Sequence, residues 1–120
     1  MYAELHCLSH YSFLRGASAP EELVDRAANS GYHALAITDE CSLAGVVKAH
    51  IAAKERGLKL IVGSEFTLTE GIRLVALVPS REAYGELSGL ISRARRRSGK
   101  GEYRVHLRDV IFHLKRCLLI

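Results

Sequence analysis

Several features that often reveal a function are scarce or missing in this sequence. It has only three cysteines, Cys7, Cys41 and Cys117, and no CxxC pair. A disulfide framework is therefore excluded and a zinc knuckle is disfavoured. No apolar run approaches the ~20 residues that a membrane helix needs, and the start lacks the basic and apolar regions of a secretory signal. Internal repeats and low-complexity tracts are also absent. These absences predict a soluble cytoplasmic protein with reduced thiols and no membrane partner.

The residues that are present suit one globular domain. The chain has 120 residues, of which 48% are hydrophobic and 25% are charged, so it can form a core without disulfides or metals. Its net charge is +4. A mildly basic balance is compatible with a nucleic-acid partner, and equally with ordinary solubility.

Two successive strand–helix units are predicted in the first half of the chain. The strands are expected at residues 2–8, 33–38 and 58–62, and the helices at 18–31 and 42–55. Ser18 and Pro20 suit the start of the first helix, and Gly31 and Gly57 suit the two helix ends. Strands that alternate with helices through short loops indicate a parallel α/β sheet or barrel.

The second half follows a different pattern. Residues 65–69 and 72–78 flank Glu70-Gly71, which predicts a hairpin. A helix capped by Ser80 is expected over 80–97, then a flexible break at 98–101, a short helix at 107–114 and a strand at 117–120. An exposed apolar strand at the end of a chain invites aggregation. We therefore expect the chain to be part of a larger domain, and to be poorly soluble, oligomeric or partly unfolded alone.

Polar side chains follow each of the first three predicted strands. His6 is near the end of the first, Asp39 and Glu40 follow the second, and Glu65 follows the third. Ligands bind at the carboxyl ends of parallel strands, so these groups should share one rim. Imidazole and carboxylate ligands suit zinc, manganese or iron, and a metal-activated water attacking a phosphoester is the natural reaction for such a cluster.

Each of these residues also has a structural interpretation. His6 could be a core histidine, and Glu65 could pair with a nearby cation. Asp39 could cap the second helix or accept backbone hydrogen bonds, and we favour that role over metal binding.

A basic cluster occupies the end of the long helix and the segment after it, and its members are Arg93, Arg95, Arg96, Arg97 and Lys100. Cations stabilise a helix C-terminus without any partner, and we favour this solvated helix end. Arginine also matches phosphate geometry, so the five residues are candidate nucleic-acid contacts. Tyr103 is the only aromatic residue nearby, and a stacking groove for single strands is not indicated.

Three segments resemble the successive motifs of PHP domains. They are residues 4–18 (ELHCLSHYSFLRGAS), 31–50 (containing ALAITDECSLAGVV) and 57–66 (ending GSEF). More narrowly, they resemble the start of the error-prone members of the bacterial DNA polymerase III alpha-subunit family. Three motifs in order within residues 1–66 are more specific than any one of them.

This resemblance implies a distorted (β/α)₇ barrel, of which residues 1–120 would form a partial PHP domain, roughly its first half. Active members hold a trinuclear metal site. Their first motif, His-x-His, falls here on His6 and Leu8, their Asp-His on Asp39 and Glu40, and their Glu on Glu65. Leucine cannot bind metal. The resemblance thus implies a degenerate site without a catalytic residue or a tightly bound metal, with zinc or manganese as the ion if the remnant is functional.

The implied function is that of a scaffold in a larger polymerase. The parent would be a DNA-directed DNA polymerase, a nucleotidyltransferase of DNA replication, translesion synthesis and the repair of DNA damage. The partners would be the rest of that chain and, through it, DNA. Two alternatives stay open: a stand-alone metal-dependent PHP phosphoesterase, and a small binding module that uses residues 93–100.

Overall fold

A computed structural model of the chain describes residues 2–9, 11–12, 16, 18–99 and 101–120. The strands are β1 (Ala3–Glu4), β2 (Ala34–Ile37), β3 (Lys59–Thr67), β4 (Arg73–Val78) and β5 (Leu118–Leu119). The helices are α1 (Pro20–Asn29), α2 (Val46–Arg56), α3 (Arg81–Arg96) and α4 (Leu107–His113). The four helices occur in the predicted order. The described residues form five strands where the sequence predicts six, and β1 covers only residues 3–4 of the predicted 2–8.

One sheet in the order β1-β2-β3-β4-β5 organises the described part of the chain. The strands β1, β2 and β3 are parallel, whereas β4 and β5 are antiparallel to their neighbours. The strand β3 serves both halves, because residues 59–62 pair with β2 and residues 62–67 pair with β4. The predicted strand at 58–62 and the first hairpin strand are thus one continuous strand.

Helices cover the sheet through two main apolar clusters. The helices α1 and α2 pack on β2 through residues such as Val24, Leu35 and Ala49. The helices α3 and α4 pack on β3 and β4 around Phe66 and Leu87. All four residues of β2 are buried, as expected for a strand covered on both faces.

Local turn chemistry explains which helix boundaries the sequence predicts correctly. Ser80 caps α3, since its side chain accepts a hydrogen bond from the Ala83 N–H. Gly57 ends α2 in the left-handed conformation, with φ of 66°. Gly71 has φ of 90° in the β3–β4 turn, a conformation that glycine adopts without the steric penalty of a side chain.

Two predicted helix starts are wrong. Ala19, not Ser18, caps α1, and the Glu22 carboxylate accepts a hydrogen bond from the Ala19 N–H at 3.0 Å. The helix α2 begins at Val46 rather than Ser42, because the Ser42 N–H donates to the Ser64 hydroxyl and the Ser42 hydroxyl accepts from the Ala44 N–H. These contacts hold the chain in a turn.

The terminal strand is shorter than predicted but is paired. β5 pairs with β4, and Ile120 exchanges two backbone hydrogen bonds with Val75. Its side chains remain outside, since Leu118, Leu119 and Ile120 are all exposed. Within the described residues, no helix is both long enough and apolar enough to cross a membrane.

Candidate functional site

The predicted rim assembles just after the end of β2, beside Glu65, which lies inside β3 rather than after it. Glu40 and Glu65 lie side by side in a parallel bridge. The Glu65 N–H donates to the Asp39 carbonyl at 3.0 Å, and the Cys41 N–H donates to the Glu65 carbonyl at 2.8 Å. The parallel pairing of β2 and β3 therefore brings these acidic residues together, as the strand-end argument predicts.

His6 reaches the same rim from the segment after β1. Its Nε2 lies 2.8 Å from Oε1 of Glu65. The His6 side chain is 43% exposed, whereas that of Glu65 is fully buried. The structural interpretation of His6 as a core histidine is therefore wrong. Glu65 contacts the His6 imidazole, and its pairing with a cation stays a prediction.

Asp39 is enclosed by hydrogen-bond donors. Its Oδ1 accepts from the Ser9 N–H at 2.6 Å and from the Ser12 hydroxyl at 2.7 Å. Its Oδ2 accepts from the Ser9 hydroxyl at 2.6 Å. The residue is 1% exposed. Asp39 therefore holds Ser9 and Ser12, in the loop of the first motif (residues 4–18), against the end of β2. The prediction that it accepts backbone hydrogen bonds is confirmed. It does not cap α2, since Gly45 is the N-cap there.

Glu40 points to Tyr103, which follows α3. The Tyr103 hydroxyl donates to Oε2 of Glu40 at 2.6 Å and accepts from the Thr67 N–H at 2.9 Å. Burial, together with the neighbouring Glu40 carboxylate, raises the pKa of Tyr103 to about 12. The tyrosine thus remains a neutral donor at ordinary pH and links the rim to the edge of β3.

Arg95 holds the same loop from α3. Its Nε and Nη2 lie 3.2 and 3.0 Å from the Cys41 carbonyl oxygen, and its guanidinium carbon lies 5.3 Å from the centre of the Tyr103 ring. Cys41 has a φ of 45°, which is uncommon for a residue with a side chain. The Cys41 thiol is buried, and burial raises its pKa to about 11. It is therefore a protonated packing residue and not a thiolate ligand.

A cavity of about 530 Å³ opens beside this network. Tyr11, Glu40, Arg95 and Tyr103 are among the residues that line it. It lies where the first-motif loop faces the segment after α3, and it does not extend to His6 or Glu65.

These contacts do not suit the metal centre that the fold family implies. Both oxygens of Asp39 accept hydrogen bonds from serine groups, and one oxygen of Glu40 accepts from Tyr103. Leu8 stands where a second histidine ligand would be needed. Across the described ranges, no cluster of three or more His, Cys, Asp or Glu side chains has a geometry suited to a metal ion. His6 and Glu65 alone are too few for a site that requires about four ligands.

The basic cluster divides into two kinds of residue. Arg95 is engaged at the rim, as described above. Arg97 forms an ion pair with Asp109 of α4 at 2.8 Å. By contrast, the guanidinium groups of Arg93 and Arg96 form no ion pair or hydrogen bond with the residues that the structure describes. Lys100 lies outside the described residues.

Sequence reasoning missed the residues that hold the rim together. Ser9 and Ser12 bind Asp39, and Tyr103 and Arg95 bind the Glu40–Cys41 segment. The two serines lie within the first motif, shortly after the first strand, and this position could have suggested hydroxyl donors to a carboxylate at the rim. No local pattern signals the role of Tyr103, since its partners lie 36 and 63 residues away.

Comparisons with known proteins identify the family of this chain. A family profile for the PHP domain matches residues 4–117. The chain is 62% identical to the error-prone DNA polymerase of Saccharophagus degradans over 99% of its own length and 12% of that protein. It is 57% identical to the error-prone DNA polymerase of Teredinibacter turnerae, with the same coverage of both chains. The chain thus spans about an eighth of the length of these curated relatives.

Solved structures show the same fold. An amidohydrolase from Chromobacterium violaceum, with bound sulfate and no metal, matches with a TM-score of 0.67 and 30% identity over 80% of this chain and 34% of that one. A candidate metal-dependent phosphoesterase from Bifidobacterium adolescentis matches with a TM-score of 0.64 and 28% identity over 96% of this chain and 44% of that one. The predicted α/β fold, part of a distorted barrel, is confirmed. The chain belongs to the PHP domain family.

Proposed function

We propose that this chain is the amino-terminal PHP segment of an error-prone DNA polymerase and acts there as a scaffold. The observation that carries this proposal is 62% identity to such a polymerase over 99% of the chain, with only 12% of the polymerase covered. The parent would be a cytoplasmic DNA-directed DNA polymerase that works in translesion synthesis and the repair of DNA damage. The rest of that chain, and DNA through it, would be the partners.

The contacts at the rim support a scaffold over a hydrolytic site. Both carboxylate oxygens of Asp39 accept hydrogen bonds from serine donors, and Oε2 of Glu40 accepts one from the Tyr103 hydroxyl. Such bonds lock loops together, because a buried carboxylate with several donors is costly to free. We therefore propose that the metal site of the family is degenerate here, and that the hydrogen-bonded network performs the structural task of a metal.

The scaffold proposal is tested in the full polymerase chain with two rim variants. His6→Ala removes the half-exposed imidazole, whereas Asp39→Ala removes the buried anchor. We expect primer extension past an abasic site to stay within about twofold in His6→Ala, and to fall in Asp39→Ala together with the melting temperature. Loss of extension in His6→Ala at an unchanged melting temperature would contradict a scaffold role.

The parent activity has its own test. The full-length protein should extend a primed template, and the region after Ile120 should encode the acidic residues of a polymerase palm. A parent that neither extends primers nor contains a palm would remove the polymerase proposal, while leaving the PHP fold intact.

A second candidate is a stand-alone metal-dependent phosphoesterase. The observations that favour it are the His6–Glu65 contact and the likeness to the Bifidobacterium protein. Purified chain is analysed for bound zinc and manganese and assayed with a generic phosphoester in the presence of either ion. Turnover that is lost in His6→Ala would support this candidate. Absence of both metal and turnover would eliminate it.

A further inference from the structure

Positive charge is concentrated in one segment of the chain. Residues 93–109 contain seven basic and two acidic residues, a net of +5, whereas the whole chain has a net charge of +4. The other residues therefore carry a net of −1, from ten basic and eleven acidic side chains. Such a separation produces a local positive potential, which net charge alone would not show.

The fold makes this segment one surface. The Arg104 N–H donates to the Ala94 carbonyl at 3.4 Å, which places the chain after α3 against the end of that helix. The Arg97–Asp109 ion pair then fixes the start of α4 to the same end. The C-terminal part of α3 and the first turn of α4 are therefore held side by side.

Four exposed arginines on this surface lie outside the Arg97–Asp109 ion pair, namely Arg93, Arg96, Arg104 and Arg108. Within the part of the chain that the structure describes, their guanidinium groups have neither an ion-pair nor a hydrogen-bond partner. Exposed arginines elsewhere either find partners, as Arg56 does with Asp25 and Arg116 with Glu86, or lie apart on separate elements, as Arg26 on α1 and Arg73 on β4 do.

The helix dipole does not explain the position of all four exposed arginines. It favours cations in the last turn of α3, which suits Arg93 and Arg96. However, Arg108 lies in the first turn of α4, where the dipole disfavours a cation. Four like charges on one surface also repel each other. An anionic ligand that spans both helix ends would offset these costs.

We propose that Arg93, Arg96, Arg104 and Arg108 form a surface that binds the phosphate backbone of duplex DNA without reading its sequence. The arginine fork matches phosphate oxygens. A single-strand site would need a row of exposed aromatic rings. Among the described residues from 93 onward, Phe112 is the one exposed ring, and it lies against His113 and Lys115. The Tyr103 ring instead packs against Phe66 and Arg95, and its hydroxyl is engaged. The choice of DNA over RNA rests on the proposed polymerase function.

The inference is tested by fluorescence anisotropy of a labelled 20-base-pair duplex with this chain. Four neutralised phosphates predict that affinity falls about a hundredfold between 50 and 200 mM salt. The triple variant R93Q/R96Q/R108Q should weaken binding at least about tenfold at 50 mM salt and flatten the salt dependence. The triple variant R26Q/R73Q/R81Q removes the same charge from exposed positions elsewhere and should bind as the unmodified chain does.

Each other outcome overturns the inference. Equal weakening by the two triples would show attraction by net charge only. Polyglutamate that binds as tightly as the duplex would assign the surface to an acidic protein segment. No binding at 50 mM salt, with primer extension by the parent intact, would remove this surface and leave the proposed function standing. Thermal melts followed by circular dichroism verify that each variant is folded. If a triple variant unfolds, the duplex affinities of the single variants Arg108→Gln and Arg81→Gln are compared instead.

Discussion

At the scale of single residues, Asp39 is the most consequential side chain of the rim. It is 1% exposed and accepts hydrogen bonds from one backbone and two side-chain donors. We expect Asp39→Asn to lower the free energy of unfolding by about 3 kcal/mol, because the buried serine donors lose a charged acceptor and meet an amide. Urea denaturation measures the change. Ser12→Ala, which removes one of the donors, is the comparison variant and should cost about 1 kcal/mol. A loss below about 0.5 kcal/mol in Asp39→Asn, which is the order of the experimental error, would refute the estimate.

Tyr103 gives a second prediction at this scale. Tyr103→Phe keeps the ring packing but removes the donor to Glu40 and the acceptor for Thr67, so we expect a loss of about 1–2 kcal/mol. Tyr84→Phe, at an exposed tyrosine, should be close to neutral. The pKa of Tyr103 is raised to about 12, and this stabilisation is therefore complete below the ordinary pKa near 10 and is lost as pH rises through 12. Phenolate absorbance should show a high-pH phase that Tyr103→Phe abolishes.

At the scale of elements, β3 lies close to its neighbouring strands at Gly63. A Cβ there would lie 2.5 Å from the Ala76 carbonyl oxygen and 3.2 Å from a Thr38 methyl carbon. Gly63→Ala should therefore destabilise the fold by about 2–3 kcal/mol. Gly89→Ala in the exposed middle of α3 meets no atom within 4 Å and should stabilise the protein by about 1 kcal/mol. Thermal melts of the two variants should shift in opposite directions, and shifts of the same sign would contradict this account.

The contact between α3 and α4 should stabilise the fold less at acidic pH. Burial raises the pKa of Asp109, but the hydrogen bond from the His106 N–H and the Arg97 guanidinium outweigh it and hold that pKa below its usual range. Its contribution to stability is therefore present above the ordinary pKa near 4 and is lost as pH falls through the lowered value. Asp109→Asn should be less stable at pH 7 by about 1 kcal/mol and should lose less stability on acidification. The urea midpoints of the unmodified chain and of Asp109→Asn are measured between pH 7 and 2. The same loss of stability on acidification in both proteins would contradict this prediction.

The element boundaries show which parts of the fold could be predicted from local sequence patterns. Glu70-Gly71 and Gly57 act through backbone geometry that a local pattern encodes, and the hairpin and the end of α2 are found where they are predicted. The start of α2 moves four residues because Cys41 and Ser42 are held by contacts to Glu65, Arg95 and Ser64, which no local pattern contains. Likewise, the order of the parallel strands predicts that His6, Glu40 and Glu65 converge. The position of Glu65 inside β3 and the contact of Glu40 with Tyr103 depend on distant segments.

At the scale of the whole molecule, apolar surface remains exposed around α4 and β5. Ile111 and Phe112 are 67% and 69% exposed, and Leu118 and Ile120 are about 60% exposed. We expect this chain to self-associate, because exposed apolar side chains on α4 and on the edge strand β5 favour pairing with another copy. Sedimentation velocity at rising concentration should show larger species, and Phe112→Lys should reduce them. Val47→Lys, at a similarly exposed position on α2, is the control and should have little effect; a monomer at all concentrations would show that this surface is harmless.

The double role of β3 has a consequence for the order in which the rim is built. Its pairing with β4 joins residues close in the chain, so this hairpin needs only a short loop to close and should form early. Its pairing with β2 spans a helix, and His6 must come from 59 residues away. We therefore expect Glu65 to be in place before its imidazole partner arrives. Substitutions in β4 would then slow refolding, whereas substitutions near His6 would mainly speed unfolding.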